Sequence, residues 1–135
     1  MKLNTKKCKF LFIVKNKSRA INHNYDILDK NHKVFQLKPE DNIKDLGVLI
    51  DDELTFKYHI YCKINKSYQM LGIINKNFTN LDKSTFCYQC KSLVRSNLEY
   101  ANAVWNPFKA SLVYDLERLQ KRATNMYINC PTLTG

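Results

Sequence analysis

The apolar positions of this chain change their period near Asp51. Before it they come in short runs: Cys8 with Phe10 to Val14, then Val34-Phe35-Gln36-Leu37, then Lys44 to Ile50. Short apolar runs between polar stretches read as buried strands, which places strands near 8–14, 33–37 and 44–50. The polar stretch from Asn16 to Asn31 reads as a loop or a ragged hairpin. Pro39-Glu40-Asp41-Asn42 reads as a turn. Gly47, inside the third run, marks a bulge or a close backbone approach.

After Asp51 the recurrence lengthens to three and four residues. Phe56, Ile60, Ile64, Ser67, Leu71, Ile74 and Phe78 lie on one stripe, which predicts a helix near 54–78. Asp51-Asp52-Glu53 stands before it, where acidic side chains complement the positive end of a helix dipole. Asn80-Leu81-Asp82 supplies the cap of a second helix near 83–99, with Phe86, Cys90, Leu93, Val94, Asn97 and Leu98 as its stripe. Tyr100 to Phe108, holding the only Trp and Asn106-Pro107, reads as a connection between helices. Leu112, Leu116, Leu119, Ala123 and Met126 predict a third helix near 110–128, with Pro131 beyond its end. The fold class expected is α+β: a small antiparallel β unit over 1–51, then a three-helix bundle within 52–135. A bundle of that size closes only a marginal core, which points to packing against something larger.

Composition narrows the class. The 135 residues are 44% hydrophobic, enough for a core and too apolar for a disordered chain. No apolar run approaches the roughly 18 residues of a membrane span. Five cysteines without framework spacing fit free thiols and a reducing, intracellular compartment. The net charge is +10, and its placement is uneven. Residues 1–38 hold ten lysines and arginines against Asp26 and Asp29, whereas the remainder is nearly balanced. Such a segment suits a polyanion, because each cation at a phosphate releases condensed counterions. The plainer alternative is a solvated lysine-rich surface.

Five segments carry a resemblance. Leu3-Asn4-Thr5-Lys6-Lys7-Cys8-Lys9 is similar to the strand after the active-site aspartates of reverse transcriptases from non-LTR (LINE-type, jockey-like) retrotransposons. Lys44 with Asp45-Leu46-Gly47-Val48-Leu49-Ile50-Asp51 resembles their primer grip. Leu54-Thr55-Phe56-Lys57-Tyr58-His59-Ile60 resembles the opening of their first thumb helix. Leu93-Val94-Arg95-Ser96-Asn97-Leu98-Glu99-Tyr100-Ala101 and Val104-Trp105-Asn106-Pro107 resemble the second thumb helix and its exit. Leu116-Glu117-Arg118-Leu119-Gln120-Lys121-Arg122-Ala123-Thr124 resembles the helix that follows. No one motif is specific; five in family order are. Ser96 departs from the pattern, standing where the family usually has proline, so the second helix should run straighter into Asn97.

The resemblance implies a palm remnant with a primer-grip hairpin, built from strands 33–37 and 44–50, followed by a thumb. It also implies that the chain starts after the catalytic aspartates and stops short of the usual family end. A polymerase holds two metal ions about 4 Å apart on clustered acids. Here Asp26 stands outside any cluster, and Asp51-Asp52-Glu53 is explained by its helix junction. Catalytic residues are therefore none, and the magnesium of an intact family member has no ligands in this chain. The implied function is that of a fragment of an RNA-directed DNA polymerase, inactive alone. Its implied partners are an RNA–DNA or DNA duplex, bound nonspecifically, and the absent palm and fingers portion, with no membrane. Gly47 would let backbone approach the primer, Lys44 would pair with a phosphate, and Lys63, Lys66, Arg118, Lys121 and Arg122 would contact duplex backbone. Trp105, Tyr100 and Phe108 read as core.

Two alternatives remain open. The chain is alternatively readable as a stand-alone basic nucleic-acid-binding module. His59-Ile60-Tyr61-Cys62 and Cys87-Tyr88-Gln89-Cys90 also supply a zinc-ligand count, the basis of a zinc-stabilised interaction module with His59, Cys62, Cys87 and Cys90 as candidates. Against it, both pairs fall on predicted helices, and no glycine turn lies near either.

Overall fold

The computed structural model describes residues 4–15, 18, 23–77 and 82–129, in two compact units, 1–56 and 57–135. The class is α+β, with paired strands in the first unit and helices in the second. Phe78, Asn80, Leu81 and Pro131, invoked as stripe end, cap and terminator, lie outside the described residues, as does Leu3.

Among the described residues, the first unit holds three two-stranded ladders. Strands β1 (Lys9–Phe10) and β4 (Lys38–Pro39) pair in parallel, β2 (Asp26–Leu28) and β3 (Val34–Gln36) antiparallel, and β5 (Asn42–Asp45) and β6 (Val48–Asp51) antiparallel. The expected strand at 8–14 shrinks to Lys9–Phe10, and none of residues 8–14 is buried; Ile13 is 55% exposed. A continuous apolar run becomes a buried strand only when layers cover both faces, and the described residues of this unit supply no second layer. Its rings gather instead: Phe10 meets Phe12 at 5.0 Å and Tyr25 at 5.1 Å, edge to face. The polar stretch does contribute a ragged hairpin, with Ile27 opposite Phe35.

The predicted third strand is a hairpin rather than one strand. Leu46 (φ 44°) and Gly47 (φ 83°) both occupy the left-handed region, the signature of a type I′ two-residue turn between Asp45 and Val48. Gly47 is thus the turn itself, not a bulge. The segments 33–37 and 44–50 do not pair with each other, because each finds its partner locally. Asp51 ends β6 at 6% exposure, and its carboxylate accepts hydrogen bonds from the Thr55 amide (2.6 Å) and hydroxyl. Leu54 and Phe56 both have φ 54°, so no helix can run through them. Helix therefore starts at Lys57 instead of 54, and Asp51 latches the connector instead of serving the helix dipole.

The second unit follows the predicted stripes closely. Helix α1 (Lys57–Asn77) buries Ile60, Ile64, Ser67, Leu71 and Ile74. The second helix is one path in three parts: α2 (Lys83–Gln89), a π-helical turn (Cys90–Arg95) and α3 (Ser96–Glu99). It runs unbroken through Ser96, whose hydroxyl donates to the Ser92 carbonyl where proline would break the ladder. A short α4 (Asn102–Trp105) follows, entered through Ala101 at φ 55°, and then α5 (Ala110–Ile128). The core is Leu71, Ile74, Phe86, Val94 and Leu119, where α1 packs against the π turn and α5. Ser67 is tolerated in the buried stripe because Asn97 Nδ2 donates to its hydroxyl at 3.0 Å and to the Lys63 carbonyl at 3.2 Å. Trp105 is core as expected, donating Nε1–H to the Tyr100 carbonyl at 2.7 Å; Tyr100, at 50% exposure, and Phe108, at 93%, are not.

Candidate nucleic-acid interface

The cations of α5 sit where its stripe leaves them. Leu112 and Leu119 turn inward, so Arg118, Lys121, Arg122 and Asn125 fall on a contiguous exposed arc. Arg118 and Arg122, one turn apart, form its α1 edge. With Tyr61, Ile64, Asn65, Tyr68 and Asp115 they line a shallow groove of about 400 Å³ between α1 and α5. The Arg122 guanidinium lies over the Tyr68 ring, 5.5 Å from its centroid, and Lys57 lies over Tyr61 at 5.9 Å. Stacking on tyrosine fixes the plane of a guanidinium while leaving its edge free to donate. Asp115 in the same groove offsets one of the two arginine charges. Lys121 borders a separate depression with Glu117, Gln120, Thr124 and Asn125.

The other candidates divide differently. Lys63 is engaged toward α3: its Nζ lies 3.4 Å from Asn97 Oδ1 and 5.0 Å from the Tyr100 ring centroid. Its charge ties two helices together and does not face the groove. Lys66 is exposed one turn further along α1. In the first unit, Lys44 is an exposed residue of β5 opposite Leu49, and Gly47 with Leu46, 84% exposed, forms the hairpin tip. The tyrosines of the groove wall were absent from the sequence-based set. Tyr61, Asn65 and Tyr68, spaced four and three, mark one flank of α1, and that spacing was the available signal.

The possible zinc ligands are not brought together. His59 is buried at 2% exposure with its ring 5.6 Å from that of Trp105, and burial, then Lys63, holds its pKa below the ordinary value. Cys62 is exposed on another face of α1, and Cys87 and Cys90 lie in the cleft beside α5. Among the described residues no three of His, Cys, Asp and Glu cluster as a metal would need. No helix among the described residues is long and apolar enough to cross a membrane. The chain matches none of the known protein families, curated proteins or solved structures with which it was compared.

Proposed function

We propose that this chain is the primer-grip and thumb segment of a reverse transcriptase of the non-LTR retrotransposon class, contributing duplex binding and no chemistry alone. The observation that carries the duplex-binding reading is the Arg118–Arg122 pair, one turn apart and facing Tyr61, Asn65 and Tyr68 across the groove. Paired guanidinium edges present donors matched to the two free oxygens of a phosphodiester. Lys121 and Asn125 extend the same exposed arc along α5. Such contacts position a backbone and carry no base code, so the ligand is a duplex of any sequence. The motif order of the chain supports the assignment to the polymerase family.

The binding half is tested with a fluorescent RNA–DNA hybrid and the full chain, using fluorescence anisotropy at low salt. Binding is expected, and Arg118→Ala with Arg122→Ala weakens it at every sequence alike. Unchanged affinity in that double variant would place the interface elsewhere. The family half is tested by sequencing the encoding locus upstream of Met1. A tyrosine-x-aspartate-aspartate strand there, in frame or shifted, supports the polymerase assignment. Unrelated sequence there leaves the stand-alone basic module, which uses the same arginines, as the better reading.

A further inference from the structure

The groove between α1 and α5 is longer than two phosphate contacts need, and its lining changes character along its length. Tyr68 meets Arg122, and further on Phe86, in the first turn of α2, meets Tyr127 with ring centroids 6.4 Å apart. Helices α1 and α5 therefore run in the same direction. Tyr61, seven residues before Tyr68, then falls level with Asp115, seven before Arg122. At about 1.5 Å per residue the two levels stand about 10 Å apart, the reach of one nucleotide from base edge to phosphate. The Arg122 level is cationic, and its tyrosine is taken by the guanidinium. The other level pairs a ring with a carboxylate. Tyr61 is 37% exposed, with the flexible Lys57 ammonium 5.9 Å from its centroid. Among the described residues no ion pair ties Asp115 to either arginine. A carboxylate repels a phosphate, so a groove built for backbone alone has no use for one.

An ionised carboxylate only accepts hydrogen bonds, through two oxygens side by side. Of the common bases, guanine alone offers it two adjacent donors, N1–H and the N2 amino group, on the edge used for pairing. That edge is free only in an unpaired base, and unpaired bases are held by stacking on aromatic rings and by hydrogen bonds to that edge. We propose that the groove seats one unpaired guanine nucleotide at a single-stranded end of the duplex. The base stacks on Tyr61, its pairing edge donates to Asp115, and its phosphate lies on Arg118 and Arg122. The role of the two arginines rests on the duplex-binding reading; the base preference goes beyond it. A blunt duplex is still bound alike at every sequence, because it leaves no pairing edge free.

The test uses the full chain and fluorescent RNA–DNA hybrids at low salt, either blunt or carrying a short single-stranded uridine tail on either strand end. One tail position holds guanine, inosine, adenine or cytosine. The guanine tail should bind at least about fivefold tighter than the adenine or cytosine tail. Inosine keeps N1–H and lacks the amino group, so it should bind more weakly than guanine. Asp115→Asn, which sets an amide donor against guanine, should abolish the preference without weakening blunt-hybrid binding. Equal affinity for guanine and adenine tails, equal affinity for guanine and inosine tails, or a preference that survives in Asp115→Asn would each overturn the guanine site. The tail comparisons use the unaltered chain, so they decide even where the variant folds poorly. Blunt-hybrid binding that depends on the arginines but shows no tail preference would sink the guanine site alone. A guanine preference without blunt-hybrid binding would sink the duplex reading alone, and no binding to any hybrid would sink both.

Discussion

The two units handle their apolar residues in opposite ways. In the helical unit the stripes close on one another, and Ile60, Leu71, Ile74, Leu112 and Leu119 are each at most 1% exposed. In the strand unit Val48 is the only buried hydrophobic among the described residues, while Leu28, Val34 and Leu46 stand 62%, 59% and 84% exposed. The difference is geometric: a helix needs one partner to cover its stripe, whereas a strand with apolar residues on both faces needs two layers. Three separate two-stranded ladders do not supply them, and isolated hairpins are marginal in water. The strand unit is held by local devices: the Asp51–Thr55 latch, the Lys9–Glu40 ion pair at 2.8 Å and the Phe10–Tyr25 ring contact. Rigidity sufficient to fix two arginines therefore resides in the bundle.

Truncation tests that contrast most strongly. Leu71→Ala should destabilise the bundle by about 2–5 kcal/mol, read as a lower denaturant midpoint, whereas Leu28→Ala should stay within about 0.5 kcal/mol of the parent. Equal costs would erase the distinction between the units. Removing the latch is the next largest effect. Asp51→Ala should cost about 1–2 kcal/mol, and hydrogen exchange should show lost protection at the Thr55 amide with the bundle amides unchanged.

A smaller effect comes from His59. Its folded pKa lies below the ordinary histidine value of 6.5, chiefly through burial, so the unfolded chain takes up the proton first. Bundle stability is then full above that value and falls as pH drops through it toward the folded pKa. Thermal melts from pH 8 to 5 should show the fall, and His59→Gln should flatten it; an unchanged slope would detach it from His59. The smallest effect sharpens the strand side. Leu46→Asn should stabilise the hairpin by about 0.5 kcal/mol, since Asn tolerates the left-handed region of a type I′ turn better than Leu. A loss of hairpin exchange protection in that variant would mean that the Leu46 side chain itself supports the fold.

The helices were legible because their stripes are periodic. The range 110–128 coincides with α5, and five buried residues of α1 lie on the predicted line. The strand unit was legible only in outline. A run such as Phe10 to Val14 does not reveal whether anything covers it, and Leu46 is a poor sequence signal for a turn that favours Asn or Asp before Gly. The π turn at Cys90–Arg95 left no pattern, as one residue of extra winding leaves the stripe readable. At the candidate interface, the arginines were visible as cations off the α5 stripe. The pairing of Arg122 with Tyr68 was not, because it depends on which flank of α1 meets α5.

Under the proposed function, the bundle grips nucleic-acid backbone through Arg118 and Arg122. The most direct test is the salt dependence of hybrid affinity for the parent chain and the Arg118→Ala/Arg122→Ala variant. Each phosphate neutralised contributes roughly 0.7–0.9 to the slope of log affinity against log salt. The slope of the variant should be shallower by about 1.4–1.8. Identical slopes and affinities for the two proteins would contradict it.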